Sequence, residues 1–154
     1  MKKKLKWAGI GLLALLVVIQ FFPPDRTNPP VDPSATVQAH LDVPPNVDAI
    51  FKRSCYDCHS NESVWPWYSH VAPVSWIVAG DVHDARHFMN LSEWAKYKPG
   101  RVASLLEQIC DETSGGDMPL KSYAFMHPQA KLSPDDIDAL CAWTDSLSAK
   151  MLRP

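Results

Sequence analysis

Residues 54–60 read SCYDCHS, in which two cysteines enclose two residues and a histidine follows at once. This CxxCH pattern is the attachment signature of c-type haem. The thiols of Cys55 and Cys58 would each form a thioether with one vinyl group of the porphyrin, and His59 would then be the proximal iron ligand. Composition alone gives about 0.004 such matches in a chain of this length, so the motif is not accidental. It predicts one covalently attached haem c.

Three other interpretations of the pattern fit the rest of the sequence less well. A zinc site would need a second ligand pair at a set spacing, whereas Cys110 and Cys141 are single and distant. A thiol oxidoreductase would carry CxxC after a strand in a βαβ unit, and the sequence has no such pattern. An ordinary short disulfide is the remaining alternative.

Residues 1–22 are predicted to form a signal anchor and transmembrane helix. Four lysines precede an apolar run from Trp7 to Phe22, which is interrupted only by glycines and Gln20. The run approaches the roughly 20 residues of a spanning helix, and a lysine cluster stays on the cytoplasmic side. Because the run ends in IQFFPPD, without an A-x-A-like site, we favour an uncleaved anchor over a signal peptide. We therefore expect a single-pass protein of the bacterial inner membrane with its C-terminal domain in the periplasm.

Residues 23–45 are predicted to form a spacer between this anchor and a domain at 46–154. The segment contains seven of the 14 prolines and few large apolar residues. Proline fixes φ and removes an N–H donor, so we expect an extended, semi-rigid chain without a packed helix. Such a spacer would hold the domain off the bilayer.

The signals beyond the spacer are helical and predict an all-α domain of several short helices and long loops. Asn46 is suited to cap a helix that leads into Cys55, Pro73 to begin a second, and Ser133 to cap the last. Gly115 and Gly116 end the third. Apolar residues recur at helical spacing in three segments: Val74, Ile77, Val78 and Val82; Val102, Leu105, Leu106, Ile109 and Cys110; Ile137, Leu140, Cys141, Thr144 and Leu147. Because a domain of this size buries limited apolar surface, we expect a cofactor to complete the core.

Met118 is the predicted distal iron ligand. It precedes Pro119 in the loop between the third and last helices. A methionine sulfur opposite a histidine favours reduced iron and raises the potential. The competing candidates are Met126, His127 and His70, and the structural alternative is that Met118 only fills a gap in the core.

Three longer stretches resemble the bacterial haem-binding domain family, which comprises small cytochrome c-like proteins that are often anchored at the N-terminus. They are CYDCHSNESVWPWYSHVAPVSW, MNLSEW and DMPLKSYAFMHPQAKLS, and the resemblance covers about residues 47–147. It implies a cytochrome c-like fold around a haem and a distal methionine loop at the MP pair. Members commonly have a second proline and a tryptophan after MP, whereas this chain has Leu120 and Lys121.

Aromatic and histidine residues after the motif have both functional and structural interpretations. Trp65, Trp67 and Tyr68 are candidates for a haem wall, since flat apolar rings exclude water, although bulky aromatics are also ordinary core residues. His83 and His87 lie four apart, as metal ligands on one helix face do. They lie opposite the apolar stripe of their helix, so we expect them to be solvated.

Cys110 and Cys141 both fall on apolar helix faces. In an oxidising compartment they could pair in a disulfide that closes a loop containing Met118. The alternative is two packed thiols.

These features together predict a membrane-anchored monohaem c-type cytochrome that transfers electrons. With both axial positions filled there is no open site for substrate, so we expect an electron carrier and not an enzyme. Its expected partners are periplasmic or membrane redox proteins, and the net charge of −2 gives no basic surface for nucleic acid. The rivals are a haem-based gas or redox sensor or peroxidase-like enzyme with an open or labile sixth position, and a non-haem tethered interaction module.

Overall fold

The computed structural model describes residues 2–151, and within that range it contains eight α-helices and no strand, which confirms the all-α prediction. Met1 and residues 152–154, at the ends of the predicted anchor and domain, lie outside the described residues. The helices are α1 (Lys2–Val18), α2 (Val37–His40), α3 (Pro45–Ser54), α4 (Tyr56–His59), α5 (Val74–Phe88), α6 (Pro99–Ser114), α7 (Lys121–Met126) and α8 (Pro134–Met151). Turns of 3₁₀-helix at Ile19–Phe21, Pro33–Ala35, Trp67–His70, Leu91–Lys96 and Pro128–Ala130 connect them.

Helix α1 projects from the rest of the chain. None of its residues is buried. Together with the following 3₁₀ turn, α1 forms a 20-residue helix, Lys2–Phe21, in which an 18-residue window has a mean hydropathy of 1.7; by length and composition it can cross a membrane.

The core lies where α6 packs on α8 and where α3 packs on α4 and α8. Its fully buried side chains include Phe51, Leu105, Leu106 and Leu140. Trp143 meets Phe51 edge to face at 5.4 Å and donates its indole N–H to the Asp42 carbonyl. Aromatic pairs in this geometry stabilise the packing beyond the area that they bury.

A disulfide joins Cys110 of α6 to Cys141 of α8, with a Cα–Cα distance of 4.8 Å. The bond covalently links the two helices that form the most extensive packing contact of the domain. The loop that carries Met118 lies between them in the chain, so both ends of this loop are held in place.

Two helix ends follow their sequence signals and one does not. The Ser133 hydroxyl accepts from the Asp136 amide, and the Asp136 carboxylate accepts in turn from the Ser133 amide, which is a reciprocal cap at the start of α8. Gly116 follows α6 with a φ of 77°. The prediction of Asn46 as the cap of α3 is wrong, because α3 begins at Pro45, where a missing N–H costs no helical bond.

The predicted apolar stripe of α5 is only partly buried. Val82 is 4% exposed, but Val74 is 41% and Ile77 is 62% exposed. The buried side of the first turn is occupied by Ser75, which is 2% exposed. Two aliphatic side chains of α5 therefore face outward.

The prediction that residues 23–45 form an extended spacer without a packed helix is wrong. The segment contains a 3₁₀ turn and α2, and Val37 is completely buried in the core. Asn28 donates to the Ser63 carbonyl at 2.9 Å, and Arg26 donates to the Ser69 carbonyl at 3.2 Å. Tertiary hydrogen bonds from polar side chains thus hold a segment whose prolines prevent long regular structure.

Candidate functional site

The CxxCH motif lies at a sharp turn between α3 and α4. The Cys55 amide donates to the Phe51 carbonyl, the last bond of α3, and the His59 amide donates to the Cys55 carbonyl. Neither Cys55 nor Cys58 is in a disulfide. Burial raises the pKa of each thiol to about 12. The turn therefore presents two neutral thiols three residues apart and an imidazole directly after the second thiol.

The imidazole of His59 is oriented by the backbone of residue 89. His59 Nδ1 lies 3.0 Å from the Met89 carbonyl oxygen. Because a carbonyl can only accept, Nδ1 carries the proton, and Nε2 keeps its lone pair. Burial lowers the pKa of His59 and keeps the ring neutral, although the Met89 bond opposes this shift. A neutral imidazole with Nδ1–H on a carbonyl is the state in which Nε2 binds a metal.

A buried amide network holds the Met89 carbonyl in place. Asn90 donates from Nδ2 to the Asn61 side-chain oxygen at 2.8 Å and accepts at Oδ1 from the Ser92 amide at 3.0 Å. The Asn61 amide donates to the Ser92 hydroxyl, so the network closes on the residue two positions after His59. The MNLSEW stretch therefore acts as the outer support of the histidine.

Two cavities of about 260 and 310 Å³ lie on the motif. His59 and Met118 line both, Cys55 lines the first and Cys58 the second. The first has a largely apolar wall formed by Phe51, Phe88, Met89, Leu105, Ile109, Leu132 and Leu140. The second is bordered by Asp81 and Asp84, and burial raises the pKa of Asp81 with a further contribution from Asp84.

These residues fit a haem. The apolar walls suit the faces of a porphyrin, and the imidazole and thioether are nitrogen and sulfur ligands that iron takes. Ser54 Oγ and Gln108 Oε1 are buried without a hydrogen-bond partner, and both residues line the first cavity. Buried polar atoms are normally paired, so these two atoms are open to hydrogen bonds with a ligand that carries polar groups.

The competing candidates for the distal iron ligand are not among the residues that line these cavities. His70 is exposed, and Met126 is 45% exposed at the end of α7. His127 is hydrogen-bonded to the Tyr68 hydroxyl at 2.8 Å and stacked on Tyr123 at 4.4 Å. In the described part of the chain, none of the three lines either cavity.

The predicted aromatic wall and the histidine pair also lie outside the cavity linings. Trp67 is 73% exposed and meets Tyr68 edge to face, and Trp65 donates to the Asn28 side chain. Phe88 and Tyr123 border the second cavity instead, and haem contact by Trp65, Trp67 or Tyr68 stays a prediction. His83 and His87 are both exposed, as expected from the helical wheel.

Two sets of contacts that support the motif were not predicted from the sequence, and the first centres on Asp57. Asp57 accepts from the Tyr123 hydroxyl at 2.7 Å and from the Val64 amide at 3.0 Å, which ties α7 to the motif. Burial and the Asp57 hydrogen bond raise the pKa of Tyr123, so its hydroxyl stays a donor. The only sequence feature that pointed to a supporting role for Asp57 was its position between the two cysteines.

Arg86 connects α5, the motif and the proline-rich segment. It donates to the Ser60 carbonyl, the Thr27 carbonyl and the Asn28 side-chain oxygen at 2.7, 3.2 and 2.6 Å. A guanidinium can satisfy several acceptors at once because its donors are held in a fixed fork. Nothing in the local sequence indicated these distant partners.

The family model of the haem-binding domain matches residues 14–146. The match covers more than half of the chain, and the protein therefore belongs to the haem-binding domain family. No significant match to a curated protein or to a solved structure was found. Family membership and the site geometry agree on a haem as the ligand of these cavities.

Proposed function

We propose that this haem protein is a monohaem c-type cytochrome that carries electrons at the periplasmic face of a bacterial inner membrane. Cys55 and Cys58 form the thioethers, His59 is the proximal ligand and Met118 the distal ligand. The bound haem supplies one-electron chemistry between ferrous and ferric iron.

The observation that carries the proposal is the fixed, neutral state of His59. Its Nδ1 donates to the Met89 carbonyl at 3.0 Å, which leaves Nε2 for iron. Met118 is the one candidate distal ligand that lines both cavities with His59. With an imidazole and a thioether on the iron, the chain tunes the potential through ligand identity and apolar burial and offers no position for a substrate.

The proposed location rests on α1 and on the disulfide. Helix α1 and the 3₁₀ turn after it together have the length and hydropathy of a membrane span, and the lysines at the start favour a cytoplasmic N-terminus. The Cys110–Cys141 bond fits an oxidising compartment, because cytosolic thiols are kept reduced. Electron partners are therefore periplasmic or membrane redox proteins.

Covalent attachment is tested on the purified full-length protein after production with a c-type maturation system. We expect haem staining to persist on a denaturing gel, and to be lost in a Cys55→Ala, Cys58→Ala double variant. A protein that binds haem but loses it on the gel would contradict covalent attachment and leave the haem-binding domain assignment intact.

The distal ligand is tested with Met118→Ala against the matched control Met126→Ala. We expect the wild type and the control to give a low-spin ferric spectrum with the weak long-wavelength band of methionine-ligated haem, and Met118→Ala to lose that band and bind carbon monoxide when reduced. An unchanged spectrum in Met118→Ala rejects the distal assignment. Carbon monoxide binding by the wild type would favour the sensor or peroxidase-like function.

A further inference from the structure

The end of the N-terminal apolar helix is fixed to the haem domain by hydrogen bonds. Gln20 donates to the Ala72 carbonyl at 3.0 Å and accepts from the Ala72 amide at 2.9 Å. The Trp76 indole N–H donates to the Phe22 carbonyl at 2.8 Å. Residues 72–76 are therefore held beside the last turn of the helix and at the same level along its axis.

Apolar side chains are exposed beside this attachment. Val71 is 46%, Val74 41% and Ile77 62% exposed. Ile77 lies two residues after the buried Ser75, about 200° around α5, and so points away from the domain. Neither Val74 nor Ile77 lines the two cavities, so a bound haem does not account for them.

The segment that carries these side chains has the composition of a membrane-interface element. Residues 71–80 read VAPVSWIVAG and contain no charged side chain. Trp76 is 40% exposed, and tryptophan is enriched where an apolar ring meets the lipid headgroups. Contact with lipid would therefore desolvate no charge in this segment.

We propose that Val71, Val74 and Ile77, together with Trp76, seat the haem domain on the outer surface of the lipid bilayer that α1 crosses. The inference rests on the proposed membrane span. Because Trp76 and Ala72 bond to the end of the span, the neighbouring side chains lie at the depth of the headgroup and acyl boundary, where an apolar helix face inserts. We call these four residues the membrane seat.

The membrane seat would orient the domain and not only tether it. Phe88, which lines both cavities, follows Ile77 by 11 residues, about 16 Å along α5. One end of α5 would rest on lipid, and the other end would border the site. The position of the site relative to the membrane would then be fixed by α5 instead of varying with a flexible linker.

The proposal is tested by hydroxyl-radical footprinting of the full-length holoprotein in lipid nanodiscs that hold one copy each. Oxidation is read at Leu13 in the span, at Val74 and Ile77 in the seat, and at Phe125, which is 80% exposed and far in sequence from both. Each rate is corrected for the intrinsic reactivity of its residue type. We expect about tenfold slower oxidation at Val74 and Ile77 than at Phe125, because the hydrocarbon region excludes water.

The outcomes separate failure of the seat from failure of the span. Protection of Leu13 with rapid oxidation of Ile77 overturns the seat and leaves the span intact. Rapid oxidation of Leu13 overturns both. Ile77→Asp should expose Val74 to oxidation while the matched Phe125→Asp does not, and haem absorbance reports that both variants are folded. Protection of Val74 that survives Ile77→Asp also overturns the proposal, since a carboxylate is expelled from the hydrocarbon region.

Discussion

Removal of the Cys110–Cys141 disulfide should destabilise the haem domain by a calculable amount. The bridge joins residues that are 31 apart in the chain. The chain-entropy relation for a loop of that length gives about 3.7 kcal/mol of stabilisation at 25 °C, through restriction of the unfolded chain. For a domain that unfolds with an m-value of about 2 kcal/mol/M, the midpoint in urea falls by about 2 M.

The measurement is a urea titration of the holoprotein with its disulfide intact, compared with the Cys110→Ala, Cys141→Ala double variant. Haem absorbance reports unfolding in both. The wild type treated with a thiol reductant is the matched control, because it keeps both sulfur atoms and the proposed thioethers would resist such reagents. Both samples should show the same lower midpoint. A loss below about 1 kcal/mol would refute the argument that the bridge acts on the unfolded state.

Three further changes test the supports of the site and the pH dependence of stability. Asn90→Ala leaves partners in a buried network unpaired, so we expect a loss of about 2–3 kcal/mol in unfolding free energy and a changed reduction potential, measured by urea titration and redox titration. Arg86→Lys keeps the charge but loses the fork, so we expect faster proteolysis within residues 23–36 and about 1–3 kcal/mol lower stability, with intact-mass analysis of the fragments as the check. Burial of Asp136 opposes its ionisation, but hydrogen bonds from Ser133 and Arg53 outweigh this and lower its pKa below the ordinary 3.8. The Asp136 carboxyl therefore has a lower pKa in the folded state than in the unfolded state, so its contribution to the free energy of unfolding is complete above the unfolded pKa and is lost as the pH falls. Below about pH 4 the wild type should lose more stability than Asp136→Asn.

Local patterns predicted the helices and the motif well because both depend on neighbours in the chain. The stripe from Val102 to Ile109 is buried in α6, and the CxxCH residues need only one helical turn to come together. The all-α class and the haem as ligand follow from these two signals. Ser133 and Gly116 mark helix ends for the same reason, since a cap acts over three or four residues.

The missed features depend on contacts between distant parts of the chain. Arg86 bonds to Thr27 and Asn28 almost 60 residues away, and no periodicity encodes that choice. Proline content argued against a packed helix in residues 23–45, yet α2 forms there and buries Val37. Proline content also says nothing about hydrogen bonds that side chains make to a neighbouring surface. The stripe of α5 was misjudged because Val74 and Ile77 repeat at helical spacing whether water, protein or lipid covers them.

If the proposed thioethers form, the raised pKa of the two motif thiols favours one order of assembly. A thiol adds to a vinyl group most readily as the thiolate, yet the fold raises the pKa of Cys55 and Cys58 to about 12. At neutral pH a chain that folded first would hold both sulfurs almost wholly protonated. The proposed attachment of haem would therefore be fastest before the domain closes, because the folded chain presents less reactive sulfurs.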